Sequence, residues 1–132
     1  MAKEYLNAFM NNSATIREVA GAEIKNAAHK AVSYNADGKV ILPAAAGDPA
    51  VGFILSDTLD LADGDETNIL IKDIGLGEAS AAIAKGAAVT VTTAGTLAKA
   101  ESGNFILGFA MTAASAAGEL IQVQLTKSGY AQ

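Results

Sequence analysis

The sequence carries an internal repeat, and a repeat of this length restricts the chain to folds assembled from two like halves. Ala31-Val-Ser-Tyr-Asn-Ala-Asp-Gly38-Lys-Val aligns with Ala88-Val-Thr-Val-Thr-Thr-Ala-Gly95-Thr-Leu. Each reads as an alternating strand, a turn glycine and the start of a second strand. Gly47-Asp-Pro-Ala-Val-Gly52-Phe-Ile-Leu then aligns with Gly103-Asn-Phe-Ile-Leu-Gly108-Phe-Ala-Met, the glycines and the following phenylalanine in register. Asp63-Gly64-Asp-Glu-Thr-Asn-Ile-Leu-Ile71 aligns with Ala117-Gly118-Glu-Leu-Ile-Gln-Val-Gln-Leu125. The offset between copies drifts only from 57 to 54 residues across the unit. Each copy predicts a three-strand module of about 45 residues, too small to bury a core alone. The modules fall at about 24–79 and 80–126, within a single β domain over 21–132.

Period-two alternation supplies the strands. Ile121, Val123 and Leu125 alternate with Gln122, Gln124 and Thr126, the pattern of a half-buried strand. Val89, Val91 and Thr93 fall on one face, opposite Thr90 and Thr92. Across 68–74, Ile69, Ile71 and Asp73 alternate less cleanly with Leu70 and Lys72. Asp37-Gly38 is a hairpin signal, because glycine supplies the positive φ of a primed turn, and Ala94-Gly95 is a weaker version. Gly52 and Gly108 sit inside apolar strands, where glycine marks a bulge or a close backbone approach. The stretch 78–84 suits a short helical turn between modules. Residues 1–20 stand outside the repeat and show no sustained period, which predicts an extended N-terminal arm. Its apolar side chains are Tyr5, Leu6, Phe9 and Met10.

Composition narrows the class further. Hydrophobic residues make up 51% of the chain but aromatics only 5%, so small aliphatic side chains must do the packing. The net charge of −5, with Arg17 as the single arginine, repels nucleic acid rather than collecting it. Cysteine is absent, which removes disulfides and thiolate metal sites. The N-terminus places Lys3 and Glu4 where a secretory signal needs an apolar run, predicting a soluble protein made without export. The longest uncharged stretch, Ser102 to Gly118, holds Asn, Ser, Thr and glycines and is no membrane span. Its lack of charge suits the centre of a subunit interface.

The chemistry-bearing residues do not assemble into a reactive constellation. His29 is the only histidine, and no Gly-x-Ser-x-Gly elbow precedes any serine. A zinc site would need His29 plus several carboxylates, at a spacing no motif supplies. Asp57, Asp60, Asp63, Asp65 and Glu66 form an acidic cluster, but not at the alternate positions of a twelve-residue calcium loop. A solvated loop turning at Asp63-Gly64 is the better account. Gly75-Leu-Gly77-Glu-Ala-Ser80 mimics a dinucleotide fingerprint, yet its third glycine is a serine and Gly86 interrupts the following stretch. Two glycines at a module junction explain it better. The reading requires no metal and no cofactor.

The second module resembles the capsid decoration, or head cement, proteins of tailed bacteriophages. The resemblance lies in Ile83-Ala-Lys-Gly86-Ala-Ala-Val89-Thr-Val-Thr-Thr-Ala-Gly95-Thr-Leu, in Phe105-Ile-Leu-Gly108-Phe-Ala, and in Gly118-Glu-Leu-Ile-Gln-Val-Gln-Leu125. It extends over 24–126 when the first module is included, where Pro43 and Pro49 depart from the pattern by interrupting the strand region. It implies a small all-β domain, barrel-like or β-tulip-like, with an arm that touches the major capsid protein and no catalytic residues. Tyr5, Leu6, Phe9 and Met10 are then the candidate anchor, ordering on the capsid by strand addition. The expectation is a structural virion protein on the capsid exterior, made in the host cytoplasm, trimeric, and bound to neither nucleic acid nor membrane. A glycan- or receptor-binding fibre module would want exposed aromatic platforms, and the chain has no tryptophan and three tyrosines. A small oligomeric β-fold enzyme would want convergent acids, bases and nucleophiles.

Overall fold

The computed structural model describes residues 13–55 and 60–132. These form ten strands: β1 (Thr15–Val19), β2 (Ala31–Tyr34), β3 (Val40–Ile41), β4 (Gly52–Ile54), β5 (Glu66–Leu70), β6 (Ile74–Glu78), β7 (Ala88–Val91), β8 (Leu97–Lys99), β9 (Gly108–Ala110) and β10 (Leu120–Leu125). The class is all-β, and the helical turn expected at 78–84 does not form: β6 runs through Glu78, and Ala79 bridges in parallel to Leu97.

The strands make two five-stranded antiparallel sheets, ordered β1-β5-β4-β2-β3 and β6-β10-β9-β7-β8. Adding five to every strand number in the first order gives the second. The likeness extends to single bonds. The parallel bridge Ala20↔Val40 matches Ala79↔Leu97, and the antiparallel bridge Ile24↔Leu61 matches Ile83↔Ala114. Gly64 donates its N–H to Ala20 as Gly118 does to Ala79, both at 2.8 Å. Gly38 and Gly95 close the two β2–β3 and β7–β8 hairpins at the same φ of 77°.

Each unit therefore holds five strands rather than three. The additional strand of the first is β1, inside the segment expected to be arm, and its partner β5 holds it by Ile16↔Ile69 and Arg17↔Asn68. The additional strand of the second is β6, paired to β10 by Leu76↔Gln122 and Gly75↔Val123. A strand continuing through 68–74 is also corrected. Asp73 adopts φ 68°, and the left-handed residue turns the chain from the first sheet into the second. Between β3 and β4, 42–51 is irregular and contains both prolines.

Two buried clusters follow from this layout. The smaller lies within the first unit and includes Ile24, Val32, Val40, Ile54 and Ile69. The larger belongs to the second unit and includes Ile83, Val89, Leu97, Ile121 and Val123, but also takes Ala31, Phe53 and Leu70 from the first. Phe53 is the one aromatic among the large fully buried side chains of the described residues. It enters the second unit over Gly75 and Gly77. A Cβ at either glycine would stand 2.8 Å from the phenylalanine ring. Burying a side chain of this size stabilises by roughly 1.5–3 kcal/mol. Backbone bonds reinforce the joint: Ala31 N–H donates to Gly95 O at 2.8 Å, and Gly47 N–H to Val91 O at 2.9 Å. Lys30 Nζ also meets Glu78 Oε1 at 3.0 Å.

Four substitutions separate backbone conformation from packing. Gly38→Ala, with nothing within 4 Å of the new methyl, costs only the left-handed strain, about 1–2 kcal/mol. Gly95→Ala has the same φ but costs more, because its Cβ would lie 2.8 Å from Leu42 and 3.0 Å from Ala31 O. Gly52→Ala also costs more than Gly38→Ala, since its Cβ would fall 1.9 Å from Leu70 O. Phe53→Ala costs about 3–5 kcal/mol. Urea unfolding midpoints measure all four, and equal losses at the three glycines would contradict this account.

Candidate functional site

Among the described residues, those singled out by sequence do not meet in one place. Tyr5, Leu6, Phe9 and Met10 lie outside the described residues, as does Asp57. His29 takes φ 67° and donates its backbone N–H to Ile54 O at 3.0 Å, while its Nδ1 is buried without a hydrogen-bond partner. Among the described residues no three His, Asp or Glu side chains converge into a metal-binding group. The carboxylates of the acidic loop instead bond locally. Asp60 accepts from Asn26 N–H at 3.0 Å, Asp65 caps Ala62 N–H at 2.9 Å, and Glu66 pairs with Arg17 at 3.5 Å. Asp63-Gly64 turns the chain, with Gly64 at φ 94°. Gly75 and Gly77 lie within strand β6, with no helix after them, so the dinucleotide reading has no structural counterpart.

An open cleft of about 410 Å³ lies where 48–51 passes β2 and the segment after β10, walled by Tyr34, Pro49, Val51 and Lys127 among others. Ser33 beside it is committed, donating its hydroxyl to Pro49 O at 2.6 Å. The Tyr34 hydroxyl donates to Glu18 on β1, tying the edge strand across the unit. Burial, then that hydrogen bond and the carboxylate's charge, push the Tyr34 phenol up to about 12. Burial also pulls the Lys127 ammonium below its ordinary value. The cleft offers apolar wall, one cation at Lys127 and one carboxylate at Asp48, which accepts the Ala45 N–H at 3.0 Å.

The second sheet presents a larger feature on the face away from the buried cluster. Directly paired residues of antiparallel strands share a face. By that rule Ile74 and Leu76 of β6 stand with Gln124 and Gln122 of β10, and Gln124 with Phe109 of β9. Met111 continues this face, donating its N–H to Gln122 O at 2.7 Å. Leu120 completes it opposite Glu78. The five apolar side chains are 36–51% exposed. The uncharged segment 102–118 is thereby split: Phe109 and Met111 are on the surface, whereas Leu107, Ala110 and Ala114 are buried.

Sequence reasoning missed this face. It read β10 from its inward residues, Ile121, Val123 and Leu125, and treated the outward set as merely polar. The signal was present in Ile74-Gly-Leu-Gly, where large and absent side chains alternate as strictly as apolar and polar ones.

Three comparisons bear on this arrangement. The model of the phage cement protein family matches residues 56–125. The fold is similar to the crystal structure of the N base of the head fiber protein gp8.5 of bacteriophage phi29, with a TM-score of 0.66 and 19% sequence identity. That match covers 89% of this chain and 98% of the other. No curated protein matches the sequence.

The Tyr34 contact gives a pH prediction. A phenol whose pKa is higher folded than unfolded stabilises the fold fully below the unfolded value near 10, and that contribution is lost as pH rises toward the folded value. Between about pH 10 and 12, the protein therefore loses stability faster than its Tyr34→Phe variant. Absorbance titration at 295 nm should show a phenolate step near 12 that the variant lacks. Identical high-pH titrations would remove the Tyr34–Glu18 assignment.

Proposed function

The chain belongs to the phage cement protein family, and we propose that it decorates the outer surface of the phage head, bound to the major capsid protein as a homotrimer. That it is a structural, capsid-associated virion protein follows from the family. The family match carries the reading, spanning strands of both sheets. Placement outside the shell is supported by charge, since a protein of −5 with one arginine gains nothing from packaged nucleic acid. The structural role is supported by the family, and polar side chains such as Asp65 and Asn35 serve turns and caps toward backbone N–H groups. A glycan platform finds less support, because Tyr34 engages Glu18 and Tyr130 packs edge-on against Phe105 at 5.7 Å.

The anchor in this reading is the N-terminal segment with Tyr5, Leu6, Phe9 and Met10. Because Thr15–Val19 is a strand of the first sheet, the arm ends before Thr15 and not at residue 20. Three copies of one weak contact around a local threefold axis gain about 10²–10⁴ in avidity when they engage together. A cement must also span more than one capsid subunit, which a lone 13.3 kDa domain does poorly.

Removing residues 1–12 should leave the melting temperature within a few degrees of the parent, and abolish co-sedimentation with undecorated heads. Undiminished co-sedimentation would show that the arm is not the anchor. A reconstruction of decorated heads should place three copies around each occupied local threefold, and isolated single copies or dimers would refute the trimer.

A further inference from the structure

The two units have the same topology but not the same surroundings, and the difference exposes one face. Phe53 pairs with Leu70 on the first sheet, and Phe109 pairs with Gln124 on the second. By the matched strand order the two phenylalanines are equivalent. At Ala31, Phe53 and Leu70 the face of the first sheet is covered by the chain's own second unit. The face of the second sheet bearing Phe109 is covered at Thr90 of β7 but is left open over β6, β10 and β9 by the described residues. We infer that the outward face of the second sheet, formed by Ile74, Leu76, Phe109, Met111 and Leu120, is closed by the same face of further copies of this chain gathered about a symmetry axis. This rests on the trimeric reading above and gives it a surface.

The occupant follows from three observations. A neighbour cannot repeat the internal joint, because the glycine seat that takes Phe53 in the second unit does not exist in the first. The β1 residues equivalent to Gly75 and Gly77 are Ile16, opposite Ile69, and Glu18, opposite Thr67. Among the described residues the seat formed by Gly75 and Gly77 is filled by Phe53 itself. A second copy must therefore offer a surface of another kind. Secondly, two copies of a −5 chain repel except where charge is absent. Here the interior of the face is aliphatic, aromatic and glutamine, and its one carboxylate, Glu78, is neutralised by Lys30 at 3.0 Å. Thirdly, the five side chains expose on the order of 400 Å² of apolar surface, within the range where such patches are often functional. With a rim of Gln122, Gln124 and Thr112 this approaches the roughly 800 Å² per partner of a standard interface. Apolar centre and uncharged polar rim is the anatomy of a contact between subunits.

Sedimentation velocity across a concentration series, from micromolar to millimolar, tests the assignment on the full chain. The parent should gain mass with concentration. Leu76→Glu and Leu120→Glu, both at exposed positions, should melt like the parent and require at least tenfold higher concentration to associate. Phe109→Ser provides a third variant without added charge and should shift in the same direction. A parent that stays monomeric throughout overturns the inference, as do variants that fold and associate like the parent. Co-sedimentation with heads is read separately. Association that depends on this face, in a protein that ignores heads, sinks the capsid reading and leaves the face standing. Binding to heads as isolated copies leaves the capsid reading and overturns the face.

Discussion

Everything in this structure depends on one side chain entering one gap. Phe53 leaves the first sheet and lies over Gly75 and Gly77 of the second, beside Leu97. Without that insertion the first unit would keep its own cluster, and the second would lose the aromatic that fills its larger one. The larger cluster is completed only because the first unit lends it Ala31, Phe53 and Leu70. The glycines are as necessary as the ring, since a methyl at either would fall within van der Waals contact distance of it. Their cost is a weaker strand: β6 gives up side-chain packing at two of its five positions. β6 recovers stability by pairing along its full length with β10.

That exchange explains how equal topologies yield unequal halves. In the first sheet, β1 has Ile16 and Glu18 where β6 has glycines, so it closes its own cluster and ties down Tyr34. The first unit is sealed on its inner side and lends its outer face. The second receives on its inner side and leaves its outer face open. A stack built by such a joint could grow only if every unit kept the glycine seat. Ile16 and Glu18 end it at two, which suits a small cement better than an open-ended array would.

The sequence disclosed the class and much of the strand pattern for identifiable reasons. The alternation over Leu120–Leu125 maps directly onto a strand with one buried and one exposed face. In β7 it misled, because Thr90 is buried along with Val89 and Val91, so the strand is covered on both faces and alternation carried no information about exposure. β1 escaped notice because Arg17 and Glu18 stand in its middle, and its support comes from Glu66–Leu70, about fifty residues later. β6 escaped because glycine reads as punctuation in a linear scan, whereas here it is a strand residue whose missing side chain is the function. The turn at Asp73 hid for the opposite reason: a left-handed non-glycine residue carries no reliable local signature. Each of these features is set by a partner distant in sequence, and a single sequence does not carry that information.

The same asymmetry bears on how a protein of this size can hold a shell together. A cement has to be soluble before it meets the capsid and adhesive afterwards. Net charge of −5 provides the first by keeping free copies apart over roughly a Debye length, about 8 Å at physiological ionic strength. Adhesion needs a surface where that repulsion is locally silent. The outward face of the second sheet meets this requirement because its alternation sends Gln122 and Gln124, rather than lysine or glutamate, outward among the apolar side chains. Glutamine keeps the face hydrated and discourages indiscriminate stacking, yet adds no charge to be buried when copies meet. Contacts of this kind are weak singly and gain from being held in register. A shell that presents several docking points at fixed spacing raises the local concentration of one copy near the next. On such a lattice, a face that joins free chains only at high concentration joins chains already held side by side.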